Sequence, residues 1–370
     1  MIDYVKWRGD ITFEESPLNE IDSLIFTELS YLPLEDIVPS VTEGGSITIH
    51  NALDKFLNKF NEDVPLGAII PGASIIALFK AAALSKRFSN VKMWAYENDV
   101  NTGSERQFSA LCFLYGKRLN YVAYRGTDDT LIGWKEDFNM ALYTPIPAQT
   151  AAVEYINKVS RMCSGTLTVG GHSKGGNLAV YSSLCADKRV RRRIVQIHNF
   201  DGPGFTYKFL DAVNDEVTVS KIMNYLPNNS YIGRIFDIIG EHKIVESKEK
   251  GLNQHDAFSW EVLGASFVEQ TEFTQGSNEF HELLKVWVGK MSVNDRNRFV
   301  DSFYRIITST NASTLSDIVG DKLKFIKGVL TSDDKDRKIV IDGIMSFLKE
   351  KSRIKSSIKS KNAANVNNKK

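Results

Sequence analysis

Between residues 90 and 265 the chain alternates between two hydrophobic periods. Runs such as VKMWAYE, FSALCFLYG and LNYVAYRG are apolar and rich in aromatic residues and read as strands. A helical stretch near 149–162, the strand TLTVGG, a helix near 175–187 and the strands IVQIHNF and SKIMNYL follow. Strands and helices alternating in this way predict an α/β fold with a mostly parallel central sheet flanked by helices. On both sides of this region the period is helical. Ile21, Leu24, Ile25 and Leu29 fall on one face before the turn-rich PSVTEGGS at 39–46. Beyond residue 280, Phe299, Phe303, Ile306 and Ile307 share a face behind a Ser292-x-x-Asp295 capping box, and Val340, Ile344 and Phe347 suggest a last helix. The expected organisation is an N-terminal helical segment (1–60) packing on the core, the core itself (61–275), a C-terminal helical region (276–350) and a tail (351–370).

Composition adds that this chain can bury a core. Of 370 residues, 42% are hydrophobic and 11% aromatic, against 25% charged, which argues against a solvated polymer without a fold. Lys and Arg number 46 and Asp and Glu 45, so no global field selects nucleic acid as a partner. The balance is uneven along the chain. Residues 351–370 hold seven basic residues and no acid, leaving 39 basic against 45 acidic in residues 1–350. That tail reads as a basic, disordered, solubilising end, with contact to acidic lipid or RNA as the alternative.

Cys112, Cys163 and Cys185 are too scattered for a disulfide framework, and no C-x-x-C pair suggests a metal, so a reducing compartment fits. MIDYVKWRGDITFEE lacks the pattern of a secretory signal, and no apolar run approaches the roughly 18 residues that span a bilayer. The expectation is a soluble, cytoplasmic protein with no transmembrane segment, with peripheral membrane contact left open.

The segment with the most chemistry is LTVGGHSKGGNLAV at 167–180, where an apolar strand runs through Gly171-His172-Ser173-Lys174-Gly175 into a helix. Gly-x-Ser-x-Gly between strand and helix is a nucleophile elbow. The serine occupies a tight turn with its hydroxyl above the sheet, and Gly171 and Gly175 let strand and helix approach closely enough to hold it. The helix start places backbone N–H groups near a developing oxyanion, with that of Lys174 the natural first donor. An incidental serine in a Gly-rich turn is the bland alternative.

Together with the upstream YVAYRGTDDTLIGWKEDF, this segment resembles the α/β-hydrolase fold of class 3 (fungal-type) lipases. More closely, the chain resembles the uncharacterised, lipase-like Mbeg1-like family over about residues 1–310. The residues that carry that likeness are the WRGD opening, RGTD, GHSKGGN, DGPGF and the QHD-x-F-x-W segment. In class 3 lipases the residue after the Arg-Gly pair supplies the second oxyanion donor, which implies Thr127 within Arg125-Gly126-Thr127. Arg125, Trp134 and Asp137 match structural positions of the same pattern. An ordinary turn capped by Asp128 and Asp129 is the alternative.

A serine nucleophile needs a base, usually a histidine C-terminal to it in this fold. His50 and His281 lie outside the α/β alternation, His172 is expected to point away from the serine's face, and His198 reads as a satisfied core histidine in mid-strand. His255, in KEKGLNQHDAFSW, lies 82 residues after the serine on a late loop and matches the family's QHD segment. His242 is the reserve.

The acid is where the patterns conflict. In class 3 lipases it follows the strand after next, a place occupied here by Ser230 in IMNYLPNNSYIGRIF. Asp201, at the end of IVQIHNF in Asn-Phe-Asp-Gly-Pro-Gly-Phe, stands one strand earlier, where active-site loops begin and where pancreatic-type lipases carry their acid. Asp237, Glu241 and Asp256 are weaker candidates, and a turn-capping role for Asp201 stays open.

The reading is a serine hydrolase of carboxylic esters, lipase- or esterase-like, acting on a small-molecule ester or lipid without cofactor. Segments 20–38 and 65–86 line its mouth or are buried helices. The alternative is a catalytically weak or inactive hydrolase scaffold that binds an acyl ligand or a protein partner.

Overall fold

The computed structural model describes residues 1–60, 72–101, 106–127, 136, 139–140, 144–309 and 322–367. Trp134, Asp137, Asp128, Asp129 and residues 65–71 of the apolar stretch lie outside them. The chain forms two compact units, Met1–Phe273 and Thr274–Lys370.

The first unit is built on a nine-stranded sheet. Its strands are β1 (Ile47–Thr48), β2 (Lys92–Asn101), β3 (Arg106–Gly116), β4 (Leu119–Tyr124), β5 (Thr166–His172), β6 (Ile194–Phe200), β7 (Ile222–Pro227) and β8 (Glu241–Val245). β9 (Val262–Leu263) and β10 (Ser266–Phe267) pair separately, and β11 (Glu269–Gln270) closes the far edge of the sheet against β8. From β4 to β8 neighbouring strands are parallel and follow chain order, while the pairs at either end are antiparallel. The α/β sheet read from the alternation of periods is therefore present, parallel in its middle and antiparallel at its margins.

Winding in one direction has a structural cost. Right-handed crossovers between parallel strands in sequential order all fall on one face of a sheet. Here helices Pro147–Met162 and Lys174–Cys185 fill that face, packing with Ala110, Cys112, Val122, Tyr124, Val169 and Ile197. The opposite face needs cover from elsewhere. Helices Ile2–Arg8, Glu20–Leu29, Ile49–Phe60 and Gly72–Leu84 supply it, burying Leu24, Ile25, Phe26, Leu29 and Phe79 with Leu111, Phe113, Tyr121 and Ala123. Strand alternation explains the division: 110, 112, 122 and 124 point one way, and 111, 113, 121 and 123 the other.

Each large aliphatic or aromatic side chain so buried contributes roughly 1.5–3 kcal/mol. Phe26 stacks on Phe113 with ring centroids 4.6 Å apart. The N-terminal helix carrying it is tied down by polar groups as well. Asn19 caps it in a reciprocal box with Asp22, and Arg87 donates to both carboxylate oxygens of Asp22, a pair fully buried on both sides. For Gly72–Leu84 the buried-helix reading holds, with Ile75, Leu78 and Phe79 in the core.

The second unit contains helices Gln275–Lys290, Val293–Ser309, Lys322–Thr331 and Asp334–Asn367. Ser292 starts the second of these, its hydroxyl accepting from the Asp295 N–H at 3.1 Å and donating to the Asp295 carboxylate at 2.6 Å. Trp287 packs edge-on against Phe299 and Phe347. Val340 and Phe347 face inward as expected, but Ile344 is exposed: the inner row runs 340, 343, 347, with Gly343 against the Phe299 ring. The segment expected to be a disordered tail is helical as far as Asn367. After Gly343 the sequence holds no Gly or Pro to stop the helix.

Candidate active site

β5 ends at His172, and the chain turns at Ser173 into helix Lys174–Cys185. Ser173 has φ 57 and ψ −132, a conformation that non-glycine residues adopt at a cost of about 1–3 kcal/mol and that persists where the surroundings enforce it. The enforcement is visible. A Cβ at Gly171 would lie 2.1 Å from the Gly175 carbonyl oxygen, so the strand and the first helical turn meet backbone to backbone. The Ser173 amide donates to the Phe200 carbonyl at 2.9 Å, continuing the β5–β6 ladder one residue past its named end.

That ladder also positions Asp201. The parallel register pairs His172 with Phe200, so Ser173 and Asp201 leave the sheet from adjacent strands. Asp201 also has positive φ, at 49, which aspartate tolerates better than most side chains. Its carboxylate is almost fully buried and fully engaged. Oδ1 accepts from the Ser230 hydroxyl at 2.5 Å and the Gly233 N–H at 3.2 Å, and Oδ2 accepts from His255 Nδ1–H at 2.7 Å. Because a carboxylate only accepts, Nδ1 carries the proton and His255 Nε2 is left as a basic lone pair. Ser230 thus hydrogen-bonds the aspartate that stands one strand earlier.

His255 lies in the single turn Gly251–His255, on the connection that leaves β8. Gln254 pins that connection: its side chain accepts from Asn229 N–H and donates to the Glu249 carbonyl, while its own carbonyl takes the Trp260 indole N–H. Among the described residues no hydrogen bond joins the Ser173 hydroxyl to the His255 ring. Such bonds are commonly long in empty sites and tighten with substrate.

Thr127 is buried just past β4. Gly126 brings it to the elbow, since a Cβ there would sit 3.1 Å from Ser173 Cβ. Arg125 donates to Asn98 Oδ1 at 3.0 Å, bracing the strand end. The Lys174 backbone N–H begins the helix, where first-turn donors lack intrahelical partners. Its side chain was not foreseen in any role. It is buried and donates to Gln107 O (3.0 Å), Gln107 Oε1 (2.7 Å) and Glu136 Oε2 (3.0 Å). Glu136 in turn accepts from the Gln107 and Ala148 amides. A lysine inside an otherwise apolar helix start was the available signal.

The remaining histidines separate clearly. His242 is exposed on β8 and stacks on Phe273, while His50 pairs with the Ala83 carbonyl. His198 is buried as expected but only half satisfied: Nδ1 pairs with Tyr225 OH at 3.2 Å and Nε2 has no partner. Burial lowers its pKa to about 4. Sequence reasoning set His172 aside, yet its ring stacks on that of His255 at 4.6 Å and its Nε2 lies 2.8 Å from the His255 carbonyl oxygen. Desolvation, and then the neighbouring His255, hold its pKa well below the usual value. Of the other acid candidates, Asp237 bridges to Phe205 through its backbone, Glu241 is exposed, and Asp256 caps the turn after His255.

Comparison with known proteins places residues 82–305 in the Mbeg1-like family model. The WRGD opening falls outside the matched span. No curated protein matches the chain. Among solved structures it is similar to one titled "Crystal structure of M37 lipase", at 14% identity, covering 58% of this chain and 68% of that one, with a TM-score of 0.34. The family match covers more than half of the chain, which therefore belongs to the Mbeg1-like family.

Proposed function

We propose that this member of the Mbeg1-like family is a serine hydrolase that cleaves carboxylic esters. The observation that carries the reading is the 2.7 Å bond from His255 Nδ1–H to Asp201, formed at the strand end beside a strained Ser173. With Nδ1 protonated, Nε2 accepts the Ser173 proton as Oγ attacks the ester carbonyl. The tetrahedral oxyanion is met by the backbone N–H groups of Lys174 and Thr127. Collapse expels the alcohol, which takes the proton back from His255, and leaves an acyl-serine. Water, deprotonated by the same Nε2, then releases the acid and restores Ser173. Asp201 holds the imidazole in the productive tautomer and stabilises its charged form.

Lipases, esterases, thioesterases and acyltransferases share this constellation and differ in acceptor and pocket, so the proposal is stated for esters as a class. A second reading, a catalytically weak or inactive scaffold that binds an acyl ligand or a protein partner, is motivated by Ser230 standing where the acid of the class 3 pattern is expected. Fluorophosphonate labelling separates the two. Labelling of the wild type that is lost in Ser173→Ala supports the hydrolase, and no labelling of well-folded protein supports the scaffold. If labelling succeeds, a panel of esters of increasing chain length defines the acyl preference.

A further inference from the structure

We propose that Tyr31 and His172 are positioning residues that hold the base loop in register with the elbow, through a chain running Tyr31 O–H to His172 Nδ1 and His172 Nε2–H to the His255 carbonyl. The inference rests on the hydrolase reading for its kinetic meaning, but the chain itself follows from donor and acceptor chemistry. A backbone carbonyl only accepts, so the 2.8 Å contact between His172 Nε2 and His255 O requires the proton on Nε2. Nδ1 of the neutral ring is then a bare acceptor, and the Tyr31 hydroxyl 3.2 Å away is a donor suited to it.

The surroundings keep the ring neutral. His172 and Glu28 are both buried, with Nδ1 3.7 Å from Glu28 Oε1. Burial pushes the glutamate pKa well above its usual value, which favours its uncharged form. A neutral His172 can lie against the His255 ring while that ring gains charge. A protonated one would repel it.

Tyr31 joins more than two parts. Its hydroxyl is 3.4 Å from the His172 carbonyl oxygen and would be 2.1 Å from a Cβ on Gly126. Gly126 precedes Thr127, and His172 precedes Ser173. One phenol from the N-terminal segment, outside the matched family span, therefore touches the loop of the oxyanion donor and the elbow, and reaches the base loop through one imidazole. Separate loops that must meet to sub-ångström tolerance gain a common reference.

The test compares folded variants. His172→Phe keeps the stacked ring and removes both hydrogen bonds, His172→Gln restores a donor at nearly the Nε2 position, and Tyr31→Phe removes one hydroxyl. Relative to wild type, His172→Phe is expected to slow fluorophosphonate acylation and kcat about tenfold or more with KM little changed, as loss of an orienting hydrogen bond predicts. Tyr31→Phe is expected to lose less, and His172→Gln to recover most of the rate. The low-field proton resonance of the His255–Asp201 hydrogen bond should weaken in His172→Phe and return in His172→Gln. Wild-type rates in His172→Phe with a loss in His172→Gln would assign the residue to ring packing alone and overturn the inference, as would equal losses in the two His172 variants. If the wild type is not labelled, the hydrolase reading fails, while the proton resonance still tests the brace. Should His172→Phe not fold, Tyr31→Phe carries the same comparison.

Discussion

Replacing Asp201 with asparagine tests the site through one atom. The substitution preserves shape and suits the positive φ of this position, since asparagine tolerates the left-handed region as well as aspartate does. Oδ1 now accepts from Ser230 and Gly233, both donors, so the asparagine oxygen must take that side. Its amide nitrogen then faces His255 Nδ1, which has to give up its proton and accept. The imidazole is left with its proton on Nε2, where it cannot take one from Ser173. A wrong tautomer of this kind costs about 10⁴ in turnover in a serine triad, equivalent to roughly 5 kcal/mol of transition-state stabilisation. Stability should change little, because the hydrogen bonds are exchanged and no cavity forms. The assay is ester turnover alongside a thermal melt of the same preparation. A folded variant within tenfold of the wild-type rate would refute the role given to Asp201 and move attention to another carboxylate.

Three further outcomes follow. His255→Ala should abolish fluorophosphonate acylation while His242→Ala leaves it within about twofold, a difference read from labelling rates. Lys174→Met keeps the backbone N–H but leaves Glu136 buried without its counter-charge, so unfolding of the first unit should lose about 3–5 kcal/mol in urea followed by tryptophan fluorescence. Four of the five tryptophans lie in that unit, and a loss below about 1 kcal/mol would sink the argument. The third concerns pH. His198 is neutral in the fold, its pKa lowered to about 4, and gains a proton on unfolding below about 6.5. Its contribution is present above pH 6.5 and is lost as pH falls toward 4, at most about 3 kcal/mol. Glu28, with a raised pKa, acts in the opposite sense, favouring the fold at low pH. His198→Phe, beside the Phe200 and Tyr225 rings, should therefore flatten the acid side of the wild-type stability curve, and an unchanged slope would count against it.

Local patterns were readable from the sequence wherever neighbours in the chain are neighbours in space. The elbow is such a case, since Gly171, Ser173 and Gly175 build their own turn, and the strand end that carries Asp201 is another. What escaped depends on contacts across many residues. Tyr31 and His172 meet over 141 positions, and His172 meets the His255 carbonyl over 83, so no spacing rule could join them. Lys174 looked like a backbone donor because its side-chain partners, Gln107 and Glu136, come from far upstream. β8 was missed because its exposed first half, Glu241 and His242, masks a short strand.

Ser173 and Asp201, the proposed nucleophile and acid, ride on adjacent strands of a buried sheet, whereas the proposed proton acceptor, His255, rides on a connection pinned by Gln254 and the Trp260 indole. Those two supports are expected to melt at unequal temperatures. Warming should loosen the connection first, silencing turnover while the sheet is still intact, and cooling should bring it back without refolding.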